Sequence, residues 1–139
     1  VNDDVSGDVV PEVALVAVDG SEVRLTDDTA RPMVVNLWFS NCPPCQRELE
    51  DFAEVHGEFG DDVRFVGVDP FDTVETMLRF ADARGVEYEL LRDPERTFTN
   101  EIGVVAFPVT LFVDTDGRIL RQTGVIDAGE LRDAIDELF

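Results

Sequence analysis

The chain has no lysine: all eleven of its basic residues are arginine. Against them stand 31 aspartates and glutamates, for a formal net charge of -20 over 139 residues. The arginines form no cluster along the chain, so no cationic face is available to neutralise phosphates. Nucleic acid is excluded as a partner, and anionic lipid headgroups are disfavoured on the same ground. Long apolar runs are missing as well. Met33–Phe39 is among the longest, far short of the roughly eighteen or more residues that span a bilayer. Cysteine and histidine are scarce, with two and one respectively. That set builds neither a disulfide-dense scaffold nor a structural zinc site of the Cys/His type, and no metal is expected.

What is present describes an ordered, soluble globular protein. Hydrophobic residues make up 44% of the chain and ten phenylalanines are among them, so disorder is excluded. The length suits one domain with a sizeable core. Residues 1–11 are polar and end in Pro11, which reads as a loose lead-in to a single folded unit over 12–139. No basic or hydrophobic signal segment stands at Val1, as expected where a targeting segment has been removed or trimmed away.

Periodicity then orders the elements. Val13–Val18 and Glu22–Leu25 around Asp19-Gly20 predict a β-hairpin. Met33–Phe39 reads as a buried central strand. Leu49, Phe52, Ala53, His56 and Phe59 then recur at helical spacing, with acidic residues opposite and Gly60 as terminator. A strand over Arg64–Val68, a helix over about Thr73–Arg84, a short strand Tyr88–Leu91 and a helix Pro94–Ile102 capped by Asp93 follow. Val109–Val113 and Arg118–Thr123 form a second hairpin around Asp114–Gly117, and a helix Ala128–Leu138 capped by Asp127 closes the chain. Strand–helix–strand units followed by a hairpin and a helix predict an α/β layered fold with a mixed sheet.

The chemistry gathers at Cys42-Pro43-Pro44-Cys45, at the junction of the buried strand and the long helix. A helix N-terminus offers unpaired N–H groups and the positive end of its dipole, and both favour a thiolate. Two prolines suit an opening turn that needs no intrahelical donors. Spacing of i, i+3 puts both sulfurs on one face. Cys42, the outer thiol, is the candidate nucleophile, and Cys45 the candidate resolving thiol. The same tetrapeptide also serves as half of many zinc sites, but the other half is missing here. Downstream, Pro108 opens an apolar strand. A strand-initial proline needs no further reason, whereas a cis bond there would turn Phe107 toward the cysteines and expose its backbone to a substrate peptide. His56, fourteen residues past Cys42 and roughly 20 Å away along a helix, reads as a core-edge residue rather than a base for the thiol.

Val34–Glu48 with its Cys-Pro-Pro-Cys, the strand Val66–Asp69, and Phe107-Pro108-Val109-Thr110 followed by Asp114-Thr115-Asp116-Gly117 resemble the thioredoxin superfamily over nearly the whole chain. Within it they resemble the extracytoplasmic TlpA/ResA-type thiol–disulfide oxidoreductases. The resemblance implies a thioredoxin-like three-layer fold, with a four- or five-stranded core sheet between helices, an added N-terminal β-hairpin and a cis Pro108. It implies exchange of dithiol for disulfide with protein substrates at Cys42 and Cys45. Asn41, Pro43, Pro44, Phe107 and Pro108 would form the docking surface, and no cofactor beyond the cysteine pair is implied. It also implies a monomer outside the cytoplasm, tethered to a membrane by an N-terminal segment, reduced by an upstream electron donor and acting as a reductant in the manner of cytochrome c maturation.

Three positions depart from common patterns. Asn36 stands where many thioredoxins carry a titrating aspartate, and Asn41 where a tryptophan is common. Glu48 occupies the place, one turn past the second cysteine, where TlpA/ResA-type members often carry a glutamate. There it is the candidate general base toward Cys45. A peroxiredoxin-type thiol peroxidase is the nearest alternative, against which Phe39 stands where those enzymes usually place a threonine. A non-catalytic thioredoxin-fold binding domain is the other, against which the intact cysteine pair argues.

Overall fold

The strand β3 (Met33–Leu37) is buried along its whole length, and its period of two divides the interior. Val34 belongs to the apolar cluster on one face of the sheet; Met33, Val35 and Leu37 belong to the cluster on the other. The computed structural model describes all of residues 1–139. Its remaining strands are β1 (Leu15–Ala17), β2 (Glu22–Val23), β4 (Arg64–Asp69), β5 (Glu89–Arg92), β6 (Val109–Val113) and β7 (Ile119–Thr123). They form one mixed sheet in the order β2-β1-β5-β4-β3-β6-β7. β3, β4 and β5 run parallel, and every other pairing is antiparallel. The fold is thioredoxin-like: five strands make its core sheet, and the N-terminal hairpin extends that sheet beside β5.

Helices α1 (Pro43–Phe59), α2 (Val74–Asp82) and α4 (Ala128–Leu138) cover the Val34 face through Leu49, Phe52, Met77 and Leu131. The opposite face is covered by the short α3 (Thr97–Glu101), through Phe98, and by the N-terminal segment. Residues 1–11, polar by composition, are not loose. Val5 and Val10 are buried in that second cluster. The Gly7 amide donates to Ile119 and the Val10 amide to Gly117, and Val9 bridges to Arg118. Two valines among charged neighbours suffice to bury a segment whose hydrogen bonds go to a neighbouring strand.

Other boundaries move by a few residues. Both strands of the first hairpin are shorter than expected, the second because Leu25 leaves it for a 3-10 turn over Leu25–Asp27. β5 lies one residue later than expected. The helix expected at Pro94 starts at Thr97, since Arg96 takes up a left-handed conformation (φ 60°) just before it. Asp93 still satisfies that helix's first turn, accepting from the amides of Phe98 and Thr99 and from the Thr99 hydroxyl. α4 has the expected bounds, with Asp127 and Glu130 completing a reciprocal cap.

Candidate functional site

Helix α1 begins at the chemistry. Cys42 is its extended N-cap and Pro43 and Pro44 are its first residues, so no N–H is wasted in the opening turn. The Cys42 carbonyl accepts from the amides of Cys45 (3.0 Å) and Gln46 (3.3 Å), which closes that turn. The two cysteines form a disulfide with their Cα atoms 5.3 Å apart. Cys42 is 4% exposed and Cys45 fully buried, so the pair has an outer and an inner sulfur. Asn41, Pro43 and Pro44 are exposed around it.

Glu48 lies one turn past Cys45 and is 2% exposed. Its Oε1 accepts from Asn36 Nδ2 at 2.8 Å and its Oε2 from the Ile126 amide at 3.0 Å. Burial pushes its pKa up to about 7; the two hydrogen bonds oppose that rise and nearby Asp51 adds to it. A cleft of about 270 Å³ lined by Pro44, Glu48, Asp51, Ile126, Asp127 and Glu130 gives this carboxyl a route to solvent. A carboxyl that titrates near neutrality, one turn past the inner cysteine on the same helix face, is suited to taking a proton there. Trp38, fully buried, packs in the same core cluster as both cysteines and stacks on Phe80.

The Phe107–Pro108 peptide is cis. Pro108 is buried at the head of β6, and Phe107 packs against the cluster that holds both cysteines. Phe107, Phe39 and Phe71 meet edge to face, their ring centroids 4.9–5.7 Å apart. Phe71 is 52% exposed, so this trio presents aromatic surface to solvent, while Phe39 and Phe107 pack against the core cluster that holds both cysteines. His56 lies at the far end of α1 against Phe65 and Tyr88, away from the sulfurs. No three His, Cys, Asp or Glu side chains are arranged to hold a metal ion, and no helix is long and apolar enough to cross a membrane.

Asp72 and Phe71 are parts of this site that sequence reasoning missed, and Asn36 was read there only as a group that cannot titrate, not as the partner of Glu48. Asn36 was visible as the one polar residue in an apolar run, in phase with Val34 and Trp38 and therefore facing α1. Asp72, which binds Ser40 just ahead of the cysteines, lies in a Pro-Phe-Asp turn and carries no such signal.

Comparison with known proteins agrees with the geometry. The chain matches the AhpC/TSA family over residues 6–131. It is 24% identical to the thiol-disulfide oxidoreductase ResA of Geobacillus thermodenitrificans over 95% of this chain and 77% of that protein. It spans 66% of the ResA of Halalkalibacterium halodurans. A Mycobacterium tuberculosis protein classed among the peroxiredoxins is 30% identical, with 87% of this chain and 77% of that protein aligned. Among solved structures, DsbF of Mycobacterium tuberculosis superposes with a TM-score of 0.83 at 27% identity, covering 94% of this chain and 99% of that one. The chain therefore belongs to the AhpC/TSA family of the thioredoxin superfamily, with the ResA-like thiol–disulfide oxidoreductases as its kin.

Proposed function

We propose that the Cys42–Cys45 pair reduces disulfides in thiol-bearing protein substrates outside the cytoplasm, in a role of the cytochrome c maturation kind. The Cys42 thiolate attacks one substrate sulfur, forming a mixed disulfide and releasing the other substrate sulfur as a thiolate that takes a proton. Glu48 removes the Cys45 proton. The Cys45 thiolate then attacks Cys42 Sγ, closing the internal disulfide and releasing the second substrate thiol. Two electrons and two protons pass to the substrate, and an upstream donor restores the dithiol. Asn41, Pro43, Pro44, Phe107 and Pro108 form the surface on which the substrate lies, and the protein acts as a monomer.

One observation carries this reading: an outer and an inner sulfur at a helix N-terminus, with a buried carboxyl one turn past the inner one. The reduction potential of the Cys42–Cys45 couple tests it. A value at or below about -220 mV fits a reductant, whereas a value near about -120 mV would make the protein an oxidant. The similarity to a protein classed among the peroxiredoxins favours a second reading, a thiol peroxidase. Phe39, turned into the aromatic trio, supplies no hydroxyl for a peroxide. Consumption of hydrogen peroxide faster than of protein disulfides would decide for the peroxidase.

A further inference from the structure

Residues 104–108 link α3 to β6 without regular structure, so their peptide groups depend on partners from elsewhere. Three of those groups find them in the N-terminal segment. Asn2 Oδ1 accepts from the amides of Val105 (2.7 Å) and Ala106 (2.8 Å), and Asn2 Nδ2 donates to the Ala106 carbonyl at 2.8 Å. One carboxamide thus grips Ala106 at both its donor and its acceptor, as a neighbouring strand would.

Asn2 is itself held. The Asp3 amide donates to the Gly103 carbonyl, and Gln122 of β7 donates to the Asp3 carbonyl while accepting from the Val5 amide. Gly103 has φ 67°, and any side chain there would run into the Asp3 carboxylate. The next residue along is left open. Phe107 N–H and C=O have no partner within the chain, in the residue whose ring packs against the core cluster that holds both cysteines.

We propose that Asn2 is a positioning residue for substrate docking. It fixes the loop ahead of Phe107 so that the free Phe107 peptide group meets the backbone of a cysteine-bearing polypeptide. This rests on the proposed exchange with protein substrates. A loop without the clasp samples other conformations, and binding must first order it, which weakens apparent affinity by the fraction of time the loop is competent.

The test compares the parent with Asn2→Ala and Asn2→Asp in two assays, reduction of insulin disulfides and of dithiobis-nitrobenzoate, a small disulfide that needs no backbone pairing. With Asn2→Ala, KM for insulin rises roughly fivefold and kcat falls less than twofold. The insulin reaction suffers more than the small-disulfide reaction. Asn2→Asp keeps both accepted hydrogen bonds and recovers part of the loss. Amide hydrogen exchange adds a readout independent of activity, in which protection of Val105 and Ala106 is lost in Asn2→Ala. Unchanged KM for insulin, equal damage to both reactions, or rapid exchange at Val105 and Ala106 in the parent overturns the proposal. A parent that reduces neither substrate defeats the proposed function instead, and the exchange measurement still decides whether the clasp orders the loop.

Discussion

Asn36 and Glu48 meet inside the protein, the Asn36 amide donating to Glu48 Oε1 at 2.8 Å between β3 and α1. The same amide donates to the Thr110 hydroxyl on β6, so one side chain ties the carboxyl to two central strands. The residue that cannot titrate thereby fixes the one that can. Two neutral donors do not offset the cost of burying a carboxylate, and its pKa rises to about 7.

Replacing Glu48 with Gln removes the proposed base and preserves the shape. Closure of the Cys42–Cys45 disulfide when the reduced protein is mixed with a substrate disulfide, through the mixed disulfide at Cys42, is expected to slow by about a hundredfold at pH 7, within the range of general base catalysis. The parent's closure rate rises with pH through about 7, because the deprotonated carboxylate is the active form. The variant lacks that inflection. Stopped-flow measurement across pH 5 to 9 checks it, and parental rates throughout would reduce Glu48 to a structural residue.

The same carboxyl links stability to pH. Its pKa rises from 4.5 in the unfolded chain to about 7 in the folded one, so the folded state holds the proton more tightly. The stabilisation is complete below pH 4.5 and is lost as pH rises through 7, about 3 kcal/mol in all. Asp69, raised to about 8 by burial and by Asp72, acts in the same direction. Urea denaturation at pH 5 and pH 8 is expected to show the parent weaker at pH 8, with a smaller difference in Glu48→Gln. Equal slopes in the two proteins would contradict the assignment.

Much of this is legible in the sequence. The order of elements, the Asp127 cap, the two hairpins and the helix-initial cysteine pair follow from periodicity, turn residues and a single short motif. What periodicity does not carry is which distant segments share hydrogen bonds. Residues 1–11 look like a tail because two buried valines give no periodic signal. Asp93 reads as a cap three residues too early, because its carboxylate reaches forward over Pro94–Arg96 to a helix that starts later. Asp72 and Phe71 join the site only because the β4–α2 turn lies beside the β3–α1 turn in the folded sheet.

The two sulfurs should differ in reactivity. Cys45 is fully buried and Cys42 lies at the helix cap, so limiting iodoacetamide is expected to label Cys42 first in the reduced protein. Cys45→Ser accumulates mixed disulfides with protein substrates, separable on non-reducing gels, whereas Cys42→Ser forms none. Preferential labelling of Cys45 would reverse the roles.

Phe71 offers a test of the aromatic trio. Half its surface faces solvent, so truncation costs the fold little, while the trio loses its most exposed ring. Phe71→Ala is expected to raise KM for a protein disulfide several-fold, with a stability change under about 1 kcal/mol. A KM equal to the parent's would confine the trio to a structural role.

Asp72 holds the turn that leads to Cys42, the proposed nucleophile. Its carboxylate accepts from the Ser40 amide at 2.8 Å and from the Ser40 hydroxyl at 2.7 Å, two residues before Cys42. Partial burial works to raise its pKa, but hydrogen bonds from Asp69 and Ser40, with Arg92 nearby, hold it below the usual range. Asp69 beneath it is fully buried, accepts from the amides of Phe71 and Asp72, and keeps its proton at neutral pH. A protonated Asp69 therefore supports an ionised Asp72, which grips the turn carrying Ser40 and Asn41. Asp72→Ala removes two charge-assisted hydrogen bonds and leaves the Ser40 amide unpaired, at a cost of about 1–3 kcal/mol. With its like-charged neighbour gone, Asp69 ionises at lower pH, so the loss of stability on raising pH moves downward as well. Denaturation curves from pH 5 to 9 measure both effects, and alkylation rates of reduced Cys42 over the same range report whether the loosened turn alters the thiol. An Asp72→Ala protein as stable as the parent, with the same pH dependence, would show that Ser40 and Asn41 hold their places without it.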